Sequence, residues 1–267
     1  MVTTERFIKD KYSVSTMHMR KNLLRIISEK YEKLQDLRDR QHSVNVSLRM
    51  RNRKTTALII EAERHSYNME VNGEQKKSGR LQKQQVEQVS EAWKYLSISL
   101  RNGFSEKDIQ KANLLIVPEQ YPNTDTAYYR NVNVMNQTND PVLPPRAEKV
   151  PDQMKELTSK LNGLRFRTDY HPIEIAGIAH IALAYIHPFL DGNGRTARTV
   201  QNAYLDLFKF PVPVIRQEEK PDYQAILKRA MKSWRGEDEF GVPNFLNYLA
   251  TKVNESLDEV LRTYRRK

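Results

Sequence analysis

One twelve-residue stretch gathers the residues that could do chemistry: His187-Pro188-Phe189-Leu190-Asp191-Gly192-Asn193-Gly194-Arg195-Thr196-Ala197-Arg198. His187 is the group in it able to take a proton near neutral pH. Asp191 is a hard oxygen ligand, and a carboxylate together with substrate phosphates is the usual way a protein holds Mg²⁺. Gly192 and Gly194 permit backbone conformations that other residues resist, and they let the chain approach a ligand closely. The helix expected to follow offers free N–H groups and a positive dipole end, which together make an anion site. Arg195 and Arg198, three apart, face the same way from its first turn, and guanidinium groups suit forked contacts with phosphate oxygens. Arginines at a helix N-terminus oppose the dipole, and a bound polyanion reverses that balance. Base, cation ligand, Gly-rich turn and two arginines imply phosphoryl or nucleotidyl transfer, which runs mainly on positioning and charge neutralisation.

The elements that must position this loop read as helical. Apolar residues recur at helical spacing over 17–41, and 54–66 is expected to form a shorter helix. Asn72-Gly73 and Ser78-Gly79 mark 69–80 as a loop. Helices are expected at 82–100, 105–116, 151–165 and 172–186, with Pro172 in the first turn, where its missing N–H costs nothing. After the loop at 187–194, a helix should run to about Phe208, and two more should cover 221–233 and 243–264. The exception lies between Pro118 and Pro151. There Tyr128 to Val134 alternates as a strand, Asn136 to Asp140 reads as a turn, and Val142-Leu143 as a returning strand. This predicts a β-hairpin inside a mainly α protein.

Composition sets the bounds. The chain has 267 residues, 39% of them hydrophobic, enough for one large domain or one domain with an appendage. It has no cysteine, so disulfides and thiolate metal sites are excluded and a reducing compartment such as the cytoplasm is expected. No signal peptide is recognised at the N-terminus, and no run of about 18 apolar residues suggests a membrane span. The net charge is +11 and uneven: residues 1–54 hold 14 Lys/Arg against 6 Asp/Glu. Such a region could bind nucleic acid, anionic lipid or an acidic protein, but solvated basic helical faces are common, and nucleic acid is not the expected partner. His180 and His187 are seven apart with no third ligand at zinc spacing, and no Walker-A sequence is present. His18, His42, His65, His171 and His180 are expected to be structural or exposed.

The stretch from His187 to Arg198 resembles the motif of the Fic family, His-x-Phe-x-Asp/Glu-Gly-Asn-Gly-Arg-x-x-Arg, at every specified position. Tyr129-Arg130 and Pro144-Pro145 resemble the flap that precedes the family's core helices. The resemblance implies a Fic-type helical bundle with a short β-hairpin flap. It also implies a protein adenylyltransferase that moves AMP from ATP to a Tyr, Thr or Ser hydroxyl of a target protein. His187 would then be the general base and Asp191 the Mg²⁺ ligand. Gly192, Asn193, Gly194 and Arg195 would line the anion site, and Arg198 would contact the γ-phosphate. Phe189 would anchor the loop by packing inward, and the flap at about 129–143 would align the target by strand addition. On this reading residues 1–84 are a helical extension, 85–250 the catalytic core, and 251–267 a helix end with a basic tail.

The family also carries an inhibitory helix with Ser/Thr-x-x-x-Glu-Gly/Asn, whose Glu pairs with the second motif arginine. Thr55 to Ala62 lies in the corresponding place, with Ala57 where Ser/Thr is expected and Ala62 where Gly/Asn is expected. Glu61 is thus either an autoinhibitory partner of Arg198 or a surface glutamate. Two alternatives to AMP transfer stand beside it: transfer of another phosphate-containing group (UMP, phosphocholine or phosphoryl), and a non-catalytic basic binding protein on the same scaffold. The target protein, the oligomeric state (a homodimer among the options) and delivery to a host cell stay open.

Overall fold

The computed structural model describes residues 19–41, 60–62, 64–65, 79–134, 142–166 and 169–265, and every regular element among them is helical. Eight helices of more than two turns carry the fold: α1 (Lys21–Gln41), α2 (Gly79–Asn102), α3 (Glu106–Ile116), α4 (Val150–Leu164), α5 (Pro172–Ile186), α6 (Asn193–Leu207), α7 (Lys220–Trp234) and α8 (Gly241–Arg265). Short 3₁₀ turns lie at Pro118–Gln120, Ala147–Lys149 and Gln217–Glu219. Of the helix expected over 54–66, residues 60–62 and 64–65 are described and helical, and the rest lies outside the described residues. Within the stretch expected to be a loop, 79 and 80 already belong to α2. Helix α2 runs through residue 85 and α8 through residue 250 without a break.

Helix α5 is the centre of the bundle. Ile173 to Leu183 are all buried, so the segment is apolar all round, as expected of a helix enclosed by others. It packs against α6 on one side and α4, α7 and α8 on the others. Gly177 makes the α8 crossing close: a Cβ there would lie 2.4 Å from Leu246 Cδ2. The start of α5 is set by His171, whose Nδ1 accepts the Ile173 N–H at 3.2 Å while Glu174 accepts the His171 N–H at 2.7 Å. This reciprocal cap, with Pro172 in the first turn, satisfies N–H groups that a helix otherwise leaves orphaned.

Helix α6 lies between α5 and the α2–α3 pair, and Asn193 to Leu205 are almost all buried. The basic helix α1 is docked on α8. Lys30 Nζ donates to Asn254 Oδ1 at 2.8 Å and Asp258 Oδ2 at 2.7 Å. At the far end of α6, Tyr31 donates to the Phe208 carbonyl and Arg38 to the Lys209 carbonyl. A cation at a helix C-terminus complements the dipole there, so part of the N-terminal basic charge serves packing within the chain.

The expected hairpin is not formed by the described residues. Residues 127–134 and 142–146 form no strand, with a bend at residue 132, and the segment joining them, 135–141, lies outside the described residues. The described arm instead spends its hydrogen bonds on the chain beside it: the Arg130 N–H donates to the Pro188 carbonyl at 2.9 Å, and Asn133 Oδ1 accepts the Ala147 N–H at 2.9 Å.

Candidate functional site

The site is the turn between α5 and α6, bracketed by two left-handed residues. His187 ends α5 at φ 49°, ψ 57°, with its N–H returned to the Leu183 carbonyl at 3.0 Å. For a residue with a Cβ this conformation costs about 1–2 kcal/mol, so the surrounding contacts must hold it. Gly192 begins α6 at φ 76°. A Cβ there would lie 2.9 Å from Asn113 Nδ2 and 3.2 Å from Val117 Cγ2, so both the backbone angle and the space require glycine. Gly194 sits in the first turn of α6 and is not among the positive-φ glycines.

Between the brackets the loop is knitted to itself. Phe189 N–H donates to Asn193 Oδ1 at 2.9 Å, and Asn193 Nδ2 donates back to the Phe189 carbonyl at 2.7 Å. Phe189 is fully buried and tilts against Tyr129 with ring centroids 5.8 Å apart. The Asn193 side chain is therefore committed to the shape of the loop, and what it offers a ligand is its backbone N–H in the first helical turn. Leu190 is exposed, and Asp191 beside it has a half-exposed side chain.

Asp191 Oδ1 accepts the Gly192 N–H at 2.6 Å and lies 3.6 Å from the Arg195 guanidinium. A half-open carboxylate at a helix N-terminus fits Mg²⁺ completed by substrate phosphates, rather than a cage of protein ligands. The described residues hold no cluster of three or more His, Cys, Asp or Glu placed to bind a metal. Arg195 and Arg198 are both buried, and Arg195 Nε has no protein partner. Buried guanidinium groups beside the N–H groups of α6 give concentrated positive potential in a low-dielectric setting, which favours a polyanion.

Behind Arg198 lies a neutral layer. His180 is fully buried; its Nδ1 is 2.7 Å from Gln201 Oε1 and its Nε2 2.8 Å from Tyr223 Oη. Burial, reinforced by the Arg198 charge, pushes its pKa down to about 3, so it stays uncharged next to the arginine.

Asn113, which no local pattern singles out, is fully buried on α3. Its Nδ2 donates to the Asp191 carbonyl and to Thr196 Oγ1, both at 3.0 Å, and its Oδ1 accepts from Tyr121 Oη at 2.6 Å. Burial, with Tyr128 and the Asp191 charge nearby, pushes the Tyr121 hydroxyl up, so it remains a donor. An asparagine in an apolar helix, remote in sequence from the loop it braces, could have been singled out only as a polar residue on a buried face.

Glu61 is half-buried in the short helical piece, next to Ala62 in the core. His65, from the same piece, accepts the Gln217 N–H through Nδ1 at 3.2 Å. The Ser-x-x-x-Glu spacing that the copy ending at Glu61 lacks is complete further on, at Ser66-Tyr67-Asn68-Met69-Glu70. That stretch lies outside the described residues. No helix among the described residues is long and apolar enough to cross a membrane.

Residues 103–205, from the start of α3 almost to the end of α6, match the Fic/DOC family. The chain is 29% identical over 184 residues to a protein adenylyltransferase Fic of Nematostella vectensis, covering 68% of this chain and 40% of that one. A Fic-domain signaling protein from Bacteroides thetaiotaomicron superposes with a TM-score of 0.76 at 21% identity, covering 91% of this chain and 98% of that one. Fic-1 from C. elegans superposes with a TM-score of 0.66 at 24% identity, covering 90% and 73%. The chain spans less than half the length of the curated relative it matches.

Proposed function

Residues 103–205 form a Fic/DOC domain, and from that premise we propose that the chain is a protein adenylyltransferase, moving AMP from ATP to a Tyr, Thr or Ser hydroxyl of a target protein. The observation that carries this reading is the bracketed turn. It sets a histidine at the C-terminal end of α5 opposite a helix N-terminus armed with two buried arginines and a half-open carboxylate. The relative named a protein adenylyltransferase supports AMP as the transferred group.

In this reaction the His187 imidazole takes the proton of the target hydroxyl. The hydroxyl oxygen forms a bond to the α-phosphorus of ATP as the α–β bridging bond breaks, and pyrophosphate leaves with the electron pair. The N–H groups at the start of α6, with Arg195 and Arg198, hold the phosphate oxygens and take up charge that grows on the leaving group. Asp191 is the residue that would hold Mg²⁺, which when bound neutralises the phosphate charge. Asn193 and Asn113 do no chemistry; they keep the loop from collapsing onto the anion site.

The target is taken to dock beside the 129–143 segment, where exposed Val132 and Leu143 face solvent with Leu190. Glu61 is proposed as an inhibitory carboxylate competing with phosphate for Arg198, and Glu70 is its rival for that role on sequence spacing. The cysteine-free composition supports a reducing compartment such as the cytoplasm. Lysate incubated with the chain and ATP, then read by peptide mass spectrometry, tests the reading. Adenylyl adducts on Tyr, Thr or Ser are expected; phosphoryl or uridylyl adducts alone would replace it.

A further inference from the structure

Arg130 is 2% exposed, one of the largest fully buried side chains, and among the described residues its side-chain partners are carbonyl groups, not a carboxylate. Burying a guanidinium without a counter-ion is costly unless each donor is satisfied. Here the donors reach across three segments. Nε donates to the His187 carbonyl at 2.8 Å, and one terminal nitrogen donates to the Val132 carbonyl at 2.9 Å. The other donates to the Pro145 carbonyl at 2.5 Å and, more weakly, to the Ile186 carbonyl at 3.4 Å. The Arg130 backbone adds its own bond to the Pro188 carbonyl. Ile186 and His187 close α5, where carbonyls left without helical partners carry the negative end of the dipole, so the cation is compensated by the helix itself.

We infer that Arg130 is a positioning residue: it pins the left-handed backbone of His187 and both described arms of the 127–146 segment into one unit, setting the base relative to the surface that receives the target. The geometry supports this in three ways. The three consecutive carbonyls 186–188 all bond to this one residue, so the C-terminal end of α5 cannot turn without breaking several bonds together. The same guanidinium holds Val132 and Pro145, which flank the segment on either side, so movement of the segment is transmitted to the base. No hydrogen bond of Arg130 goes to α6, whose anion site is braced from the other side by Asn113. Lysine, a point charge on a flexible stem, cannot reproduce a planar fork reaching several carbonyls. The inference takes its reaction from the adenylyltransferase reading, but its structural content does not depend on it.

The test compares the full chain with Arg130→Lys and Arg130→Met by hydrogen exchange and by steady-state kinetics. In Arg130→Lys the amides of 129–134 and 186–190 are expected to exchange at least tenfold faster, while 193–207 is unchanged. The turnover number should fall tenfold or more with the KM for ATP within twofold. Arg130→Met removes the buried charge and the fork together; it should keep the fold and show the same loss of turnover at unchanged KM. Wild-type exchange in both segments, or a raised KM for ATP with unchanged turnover, would overturn the inference. If the unmodified chain transfers nothing from ATP, the proposed function fails and the exchange result alone decides the role of Arg130.

Discussion

The two flanks of the turn are built in different ways. The anion flank, Gly192 to Arg198, is assembled mainly from its own neighbourhood: the Phe189–Asn193 pair, the Asp191–Arg195 contact and the first turn of a helix. The base flank is assembled from afar, because His187 owes its left-handed setting to Arg130, 57 residues earlier in the chain. On the proposed reading, the local flank binds the nucleotide whatever the distant one is doing, and the distant flank decides whether that nucleotide meets a base and a target. Binding and turnover should therefore be separable by mutation.

The largest expected effect comes from removing the base. His187→Ala should lower transfer by about 10²–10⁴-fold, the range for a positioned general base. ATP binding measured by calorimetry should stay within a few-fold. Loss of binding in step with transfer would merge the two flanks.

Asn113→Ala probes a long-range brace of the anion flank. It leaves the Tyr121 hydroxyl, the Asp191 carbonyl and Thr196 short of a buried partner, each costing about 1–3 kcal/mol when unsatisfied. A fall in thermal midpoint of several degrees is expected, with weaker ATP binding. An unchanged midpoint would mean that the loop's own bonds suffice.

A smaller effect is expected from the layer behind Arg198. His180 has its pKa lowered from 6.5 to about 3 and His171 from 6.5 to about 4, in both cases first by burial. The unfolded chain then binds more protons below pH 6.5. Their contribution is complete above that pH and is lost as the pH falls toward about 4, by roughly 1.4 kcal/mol per unit for each group. Urea midpoints between pH 7 and 4 should fall for the native chain and fall less steeply for His180→Gln. Parallel slopes would remove His180 from the account.

The smallest effect concerns regulation. Glu61→Gly should raise self-labelling with ATP by a few-fold, and Glu70→Gly tests the better-spaced copy beside it. A rise in the second variant alone would transfer the inhibitory role to Glu70.

How much of this was legible in the sequence follows the same division. The candidates His187, Asp191, Arg195 and Arg198 stand out because the residues are close in sequence and their types are unusual together. The ends of α5 were set by Pro172 and the turn after Ile186, and the observed helix matches the expectation at both. Asn113 went unread, and Arg130 was named only within the flap resemblance, because the bracing role of each lies in partners 78 and 57 residues away, respectively, which no local pattern encodes. Two glycines in one turn look alike in sequence, and the structure separates them: Gly192 has the positive φ and packs against Asn113 and Val117, and Gly194 lies within α6. The strand expected at Tyr128 to Val134 had the right alternation, but its register is spent on the loop and the 147 turn.

The central claim, that this turn directs a hydroxyl to the α-phosphorus of ATP, is tested most directly by comparing labels. The chain is incubated with target-containing lysate and either [α-³²P]ATP or [γ-³²P]ATP, alongside His187→Ala. The account predicts protein-bound radioactivity from the α label, none above background from the γ label, and loss of the α signal in the variant. Protein labelled from the γ position, or α labelling that survives in His187→Ala, would contradict it.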